Sequence, residues 1–185
     1  QLLNLMKNYS TEEYFEAEYA SEILTTLPAG YIDKSICACG ITTVALENDI
    51  PTIIAVPTRE LALNKCMSYP NVRSDKRVLA VMGEVSRTDI DNFEFTDGII
   101  KIMVTYDSID KVKHLLPACH LVIDESNQLL SLATLKPEVI DNLFQLAYHY
   151  KDNVTFVSAT PIPVEYMPEW ISSIPQIKYH WKNTV

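Results

Sequence analysis

Two adjacent carboxylates, Asp124 and Glu125, directly follow an apolar run that begins at His120 and reads H-L-V-I. An unpaired buried charge is costly, so a buried strand that ends in two acids usually ends where ligands bind, at the carboxyl edge of an open α/β sheet. Asp124 has the chemistry to hold Mg²⁺ through water, and Glu125 to orient or deprotonate an attacking water. Taken alone, the pair is explained equally well as an acidic surface turn.

Three further polar segments come at the ends of apolar runs: P-T-R-E-L-A-L from Pro57, V-T-Y-D-S from Val104 and S-A-T-P from Ser158. Hydroxyl and guanidinium groups, as at Thr58, Arg59 and Thr105, can bind phosphate without reading base sequence. The hydroxyls of Ser158 and Thr160 can hydrogen-bond the acidic segment across the strand ends. Each hydroxyl taken singly is better explained by helix capping or turn formation.

Residues 35–43 read S-I-C-A-C-G-I-T-T and match only part of a phosphate-binding loop, G-x-x-x-x-G-K-[ST]. In such a loop the backbone N–H groups wrap the phosphates, the lysine meets the β- and γ-phosphates, and the hydroxyl binds Mg²⁺. Ser35 stands in the place of the first glycine and Ile41 in the place of the lysine. The candidate nucleotide contacts that remain are Cys39, Gly40, Thr42 and Thr43, with Thr42 in the metal-binding position.

The lost lysine leaves two interpretations open. In one, nucleotide binding is weak or absent. In the other, backbone amides and the helix start at Thr42 still bind phosphate, and Lys34 folds back to supply the missing charge. A solvent-facing Lys34 is the simpler expectation, and we predict that the chain binds ATP poorly by itself.

Apolar strands alternate with helical segments, which predicts a mostly parallel sheet covered by helices on both faces. A capping-box pattern at Ser10 and helical spacing up to Leu27 predict a helix that Pro28 ends. We therefore divide the chain into an N-terminal helical segment, 1–27, and one α/β domain, 28–185. Strands are predicted at 35–38, 52–56, 77–82, 99–105, 121–124, 154–158 and 176–179, and helices at 42–47, 59–67, 107–116 and 137–150.

The order and spacing of these segments resemble the first RecA-like domain of a superfamily-two helicase of DEAD-box-like type. The similarity covers roughly residues 28 to 163, and P-T-R-E-L-A-L is its most specific string. It implies a three-layer αβα sheet of the P-loop NTPase class, in which the strand ending at Ser158 lies between the phosphate-loop strand and the strand ending at Asp124. It also implies roles for the site residues: Asp124 and Thr42 on Mg²⁺, Glu125 on water, Thr58, Arg59 and Thr105 on the nucleic-acid backbone, and Ser158 and Thr160 in coupling nucleotide state to domain movement.

The resemblance further implies ATP and Mg²⁺ as cofactors and DNA or RNA as a partner, bound without sequence preference. Helicases of this type close a second RecA-like domain, which carries an arginine, over the nucleotide. No arginine follows Arg87, so we expect an N-terminal helicase domain that neither unwinds nor hydrolyses efficiently by itself. Two alternatives remain: a non-enzymatic interaction module that keeps only the scaffold, and a domain of a DNA translocase or packaging ATPase.

Composition narrows the class of protein. The chain has 185 residues, 48% of them hydrophobic, and a formal net charge of -9, which argues against nucleic-acid binding over the whole surface. No apolar run is long enough to cross a membrane, and the four cysteines show no disulfide spacing, so a reducing cytoplasm is expected. The scattered histidines and single Cys37-x-Cys39 pair disfavour zinc.

Overall fold

A single parallel sheet of eight strands organises the chain, in a computed structural model that describes residues 10–68 and 77–182. The strands are β1 Thr11–Tyr14, β2 Gly30–Asp33, β3 Thr52–Val56, β4 Leu79–Val81, β5 Lys101–Thr105, β6 His120–Ile123, β7 Val154–Ser158 and β8 Gln176–His180. Their order across the sheet is β1-β8-β2-β7-β6-β3-β5-β4. Because all are parallel, their carboxyl ends share one edge of the sheet.

Helices cover both faces of this sheet. They are α1 Ile41–Glu47, α2 Arg59–Ser68, α3 Arg87–Asp91, α4 Leu129–Leu135, α5 Pro137–His149 and α6 Glu169–Ser173. None of the helices within residues 10–68 and 77–182 has the length and apolar character needed to span a bilayer.

Two separate cores form because successive strand residues point to opposite faces. On β3, Ile53 belongs to the cluster that includes residues of α4, α5 and α6, while Ile54 belongs to the cluster that includes residues of α1 and α2. The predicted three-layer αβα architecture is therefore confirmed.

The strand order at the centre of the sheet is also as expected. β7 pairs with β2, where Asp33 is opposite Ser158, and with β6, where Ile123 is opposite Phe156. The strand that ends at Ser158 thus lies between the strand before the phosphate-loop segment and the strand before Asp124.

The helix predicted from Ser10 is wrong. Residues 11–14 form the edge strand β1, which pairs with β8, and Ser10 donates to the carbonyl of Gln176 at 2.9 Å instead of capping a helix. Only a short 3₁₀ turn, Ala20–Glu22, follows. Of the apolar residues at helical spacing, Phe15 packs on the rings of Tyr179 in β8 and of Trp181, whereas Tyr19 and Ile23 are exposed. Residues 1–9 of the predicted N-terminal segment lie outside the described residues.

Two internal elements also differ from expectation. The strand predicted at 35–38 is a loop, in which Ser35 and Ala38 adopt left-handed conformations with φ of 60° and 59°; the strand, β2, lies just before it. The helix predicted at 107–116 is two 3₁₀ segments, Tyr106–Lys111 and Lys113–Ala118. Pro117, inside the second segment, has no N–H to continue an α-helix.

Candidate phosphate-binding site

The acidic pair lies in a left-handed turn directly after β6. Glu125 has a φ of 53°, and its N–H donates to Asp124 Oδ1 at 2.9 Å. The backbone carbonyl of Asp124 accepts a 2.6 Å hydrogen bond from the Tyr106 hydroxyl. The Asp124 side chain is 1% exposed and that of Glu125 is 24% exposed. The turn thus buries one carboxylate and leaves the second within reach of solvent.

Lys34 bridges the two acids. Its Nζ lies 3.4 Å from Asp124 Oδ1 and 3.0 Å from Glu125 Oε1, and the residue is buried. The expectation of a solvent-facing Lys34 is therefore wrong, because a buried carboxylate requires a charged partner. Burial alone would lower the pKa of the lysine, but attraction to Asp124 and Glu125 outweighs burial and raises that pKa.

A second lysine, Lys65 on α2, reaches the same carboxylate. Its Nζ donates to Asp124 Oδ2 at 2.6 Å and to Thr42 Oγ1 at 2.7 Å, while Thr42 Oγ1 donates to Asp124 Oδ2 at 3.0 Å. Motif reasoning missed Lys65. The helical spacing could have indicated that Lys65 points inward, because it shares one face of α2 with the half-buried Leu61 and the buried Ala62.

The two lysines keep Asp124 charged. Burial by itself raises the pKa of this carboxyl group, but the Lys65 and Lys34 ammoniums and the Thr42 hydroxyl outweigh burial and lower the pKa to about 2. The site therefore places two lysine side chains in contact with the acidic pair.

The phosphate-loop segment keeps a tight turn without its first glycine. Ser35, left-handed like a glycine, donates its N–H to Asp33 Oδ1 at 2.9 Å and its hydroxyl to the Tyr179 carbonyl at 2.6 Å. Gly40 is left-handed too, with a φ of 83°, and precedes α1. Ile41 is 2% exposed and belongs to the core cluster on the α1 face, so it supplies packing in place of charge.

The remaining loop candidates are distributed around Thr42. Cys39 is buried and its carbonyl accepts a 2.7 Å bond from the N–H of Ala20, which fixes the loop against the N-terminal segment. Thr43 is half-buried on α1. Of the loop candidates Cys39, Gly40, Thr42 and Thr43, Thr42 is the one whose side chain hydrogen-bonds the acidic pair.

The S-A-T segment meets the acidic segment through Asn127. With its amide oriented to satisfy its neighbours, Asn127 donates to Ser158 Oγ at 3.1 Å and to Glu125 Oε2 at 3.3 Å, and accepts from Thr160 Oγ1 at 3.2 Å. The Thr160 N–H also donates to Ser158 Oγ at 3.1 Å. A continuous hydrogen-bond path therefore joins the carboxylate of Glu125 to the end of β7.

The three residues expected to contact nucleic acid differ in exposure. Thr58 and Arg59 are exposed at the start of α2; Thr58 Oγ1 accepts from the Leu61 N–H at 3.2 Å. Arg59 is paired through both terminal nitrogens with Glu84, at 3.0 and 2.7 Å. Thr105 is on the neighbouring strand end but is buried. Only the first two offer side chains to solvent.

The residues expected to bind Mg²⁺ do not fit a metal in this arrangement. Lys65 donates to both Thr42 Oγ1 and Asp124 Oδ2, and Lys34 and the Glu125 N–H donate to Asp124 Oδ1. Across residues 10–68 and 77–182, no group of three or more histidine, cysteine or acidic side chains is placed to hold a metal ion. Two clustered ammoniums instead suit an anionic ligand such as a phosphate chain.

Comparison of the structure with solved structures finds a DEAD box protein from the hyperthermophile Methanococcus jannaschii, at a TM-score of 0.57 and 16% identity. The match covers 84% of this chain. The chain therefore has a three-layer αβα fold of the RecA-like type. This chain covers 46% of the length of the Methanococcus protein, less than two thirds of it.

A second similar structure is the Pyrococcus furiosus Hef helicase domain, at a TM-score of 0.46 and 19% identity, with 86% of this chain and 35% of that chain covered. No family model matches this chain, and no curated protein matches its sequence.

Proposed function

We propose that this chain is a RecA-like domain of a nucleic-acid helicase and that it binds the phosphate chain of ATP, weakly by itself, through Lys34. One observation carries the proposal: Lys34 lies at the start of the loop and contacts both Asp124 and Glu125. The positive charge that Ile41 cannot supply is thus present on the residue directly before the loop segment.

Weak binding follows from the same contacts. A phosphate that recruits Lys34 must compete with two carboxylates, one of them 1% exposed, and a buried carboxylate that loses a cation is strongly disfavoured. Glu125, at 24% exposure, remains accessible to orient a water beside the phosphates.

The path from Glu125 through Asn127 to Ser158 and Thr160 supports a coupling role for the S-A-T segment. A change in the contacts of the Glu125 carboxylate would be felt at the end of β7 through hydrogen bonds of 3.1 to 3.3 Å. Efficient hydrolysis would further need a second RecA-like domain that supplies an arginine to the phosphates. Without such a domain, we expect these 185 residues to hydrolyse ATP poorly, and we expect no unwinding of a duplex.

Nucleic-acid binding is proposed for the exposed start of α2. Thr58 and Arg59 carry a hydroxyl and a guanidinium that can bind backbone phosphates of DNA or RNA without sequence preference. Arg59 would have to leave Glu84; both side chains are more than half exposed, so the pair is worth no more than about 1 kcal/mol.

The ATP proposal is tested by following amide resonances of the labelled protein during ATP titration. We expect millimolar binding that Lys34→Ala weakens at least tenfold, about 1.4 kcal/mol. Lys136→Ala is the matched control, because it also removes a lysine paired with an aspartate, Asp107 at 2.7 Å, but on the surface. Sub-millimolar affinity, or equal binding by Lys34→Ala and the wild type, would contradict the proposal.

The nucleic-acid proposal is tested by fluorescence anisotropy with single-stranded DNA and RNA of two unrelated sequences at low salt. Arg59→Ala should weaken binding to all four oligonucleotides alike. It should also reduce the slope of log affinity against log salt concentration by about one, the loss of one phosphate contact. Arg87→Ala is the control, since Arg87 is an exposed arginine paired with Asp91 at 3.0 Å on another helix. Equal losses from both variants would count against a site at Arg59.

A non-enzymatic interaction module is the second candidate. This candidate is supported by the ion pairs within the site. Each charged group there has a partner of opposite charge without any ligand: Lys34, Lys65, Asp124 and Glu125. That function predicts no change in any resonance with ATP and no anisotropy change with either nucleic acid.

A further inference from the structure

We propose that the ammonium of Lys65 takes the position of Mg²⁺ in this site, so that the domain accepts a phosphate chain without a divalent metal. The identity of the ligand as a nucleotide phosphate chain rests on the function proposed above. The exclusion of metal rests on the geometry of this chain alone.

The two protein oxygens that hold Mg²⁺ in P-loop sites come from the loop hydroxyl and from the acid at the end of another parallel strand. In this chain those groups are Thr42 and Asp124. Lys65 Nζ lies 2.7 Å from Thr42 Oγ1 and 2.6 Å from Asp124 Oδ2, so a single cation already joins both groups.

A metal ion, bound directly or through a water, would have to displace the ammonium from these oxygens. Mg²⁺ binds oxygen at about 2 Å, and two cations bound to the same pair of oxygens would repel strongly beside a buried carboxylate. The other oxygen of Asp124 accepts from Lys34 and from the Glu125 N–H, at 3.4 and 2.9 Å. No carboxylate oxygen of Asp124 is left for a metal while both lysines hold these positions.

Charge balance favours the same conclusion. Lys34 and Lys65 already neutralise Asp124 and Glu125, so Mg²⁺ would bring two uncompensated positive charges into a largely buried cluster. A phosphate chain would contact the same two ammoniums in competition with the carboxylates, and it would not be repelled by them as a metal cation would be.

Lys65 is held in place by its helix. It lies on α2, which packs against β3, β4 and β5, and its side chain is 26% exposed, with Nζ 2.6 Å from Oδ2 of the buried Asp124. Its inward-facing neighbour Ala62 is fully buried in the core, so the helix cannot turn Lys65 outward without losing that packing.

Metal binding is measured without nucleotide, with Mn²⁺ as a paramagnetic probe for the Mg²⁺ position. In the wild type, millimolar Mn²⁺ should leave the amide resonances of Thr42 and Asp124 no more broadened than those of the core. Selective broadening of these two resonances would overturn the proposal, and this measurement needs no variant.

Variants then test the role of Lys65 itself. Lys65→Met should gain a Mn²⁺ site that broadens Thr42 and is lost again in Lys65→Met/Asp124→Asn, whereas Lys65→Arg should behave as the wild type. Lys136→Met, which loses an exposed lysine paired with Asp107, controls for the change in net charge. If Lys65→Met gains no site, the proposal fails.

A nucleotide arm separates this inference from the proposed function. Wild-type affinity for ATP should be the same within about twofold in EDTA and in Mg²⁺, and binding that requires Mg²⁺ would overturn the inference while supporting the nucleotide function. If ATP binds under neither condition, the nucleotide function fails, and the Mn²⁺ measurements still decide whether Lys65 excludes metal.

Discussion

The indole nitrogen of Trp181 donates a 2.9 Å hydrogen bond to the backbone carbonyl of Lys34. On the other side of the same residue, the Lys34 N–H donates to the Ser158 carbonyl at 2.8 Å. The backbone of the lysine that neutralises the acidic pair is therefore held between the end of β7 and the residue that follows β8.

Trp181→Phe should lower the free energy of unfolding by about 1 kcal/mol, because the buried carbonyl of Lys34 loses one donor and keeps the N–H of Ile36 at 2.7 Å. Urea denaturation followed by circular dichroism measures the change. Trp170→Phe is the control: Trp170 packs on Phe156 and Tyr148, and its indole nitrogen has no hydrogen-bond partner among residues 10–68 and 77–182. A smaller loss for Trp181→Phe than for Trp170→Phe would mean that the hydrogen bond contributes little.

The two adjacent acids should differ in their contribution to stability. Asp124→Asn removes a buried charge between two lysines and should lower the free energy of unfolding by about 3–5 kcal/mol. Glu125→Gln, at a more exposed position, should change it by no more than about 1 kcal/mol, because Lys34 keeps Asp124 as a partner. Urea titrations of both variants at neutral pH test the contrast, and equal losses would contradict it.

His120 should make the fold less stable in mild acid. Burial, and to a smaller extent the nearby Lys101 ammonium, lower the pKa of its imidazole from 6.5 to about 4. Above pH 6.5 the ring is neutral in both states. Between these values the unfolded chain binds a proton that the folded chain does not, so stability falls as pH falls, by about 3 kcal/mol in total.

The His120 effect is isolated by comparing urea denaturation of the wild type and His120→Gln at pH values from 7 to 5. The stability difference between the two proteins should shift in favour of the variant as pH falls. The variant amide retains a polar group toward Thr155 Oγ1, which lies 2.7 Å from Nε2 in the wild type. Parallel pH profiles would show that another group titrates.

Lys101 should stabilise the amino-terminal edge of the sheet through its ammonium. The residue is fully buried, and its Nζ donates to the carbonyls of Ala45 and Ile50, both at 2.7 Å. Lys101→Met leaves these carbonyls without that donor and should lower the free energy of unfolding by about 2 kcal/mol. Thermal and urea unfolding of the variant measure the loss.

Lys111→Met is the control for Lys101→Met. Lys111 also donates to two carbonyls, those of Gly83 and Val85 at 2.7 and 2.6 Å, but its end lies near the surface where water can replace it. Its loss should be no more than about 1 kcal/mol. Equal destabilisation by both variants would remove burial as the explanation for the effect of Lys101.

Local sequence patterns were sufficient for most of the sheet. Largely apolar runs such as 52–56 and 154–158 are strands at the predicted residues, because side chains buried on both faces of a parallel strand favour apolar residues. The helical pattern after Ser10 was misleading, because pairing with β8 provides backbone hydrogen bonds that no local pattern can anticipate.

From the sequence alone one can infer the alternation of strands and helices, and an acidic pair at the end of a buried strand. Only the tertiary structure reveals what neutralises that pair. Lys34 and Lys65 are 90 and 59 residues from Asp124 along the chain, and both lie close to it because parallel strands and the helix after β3 converge at one edge. A buried charge must find its partner in space, and nothing in the local sequence encodes that distance.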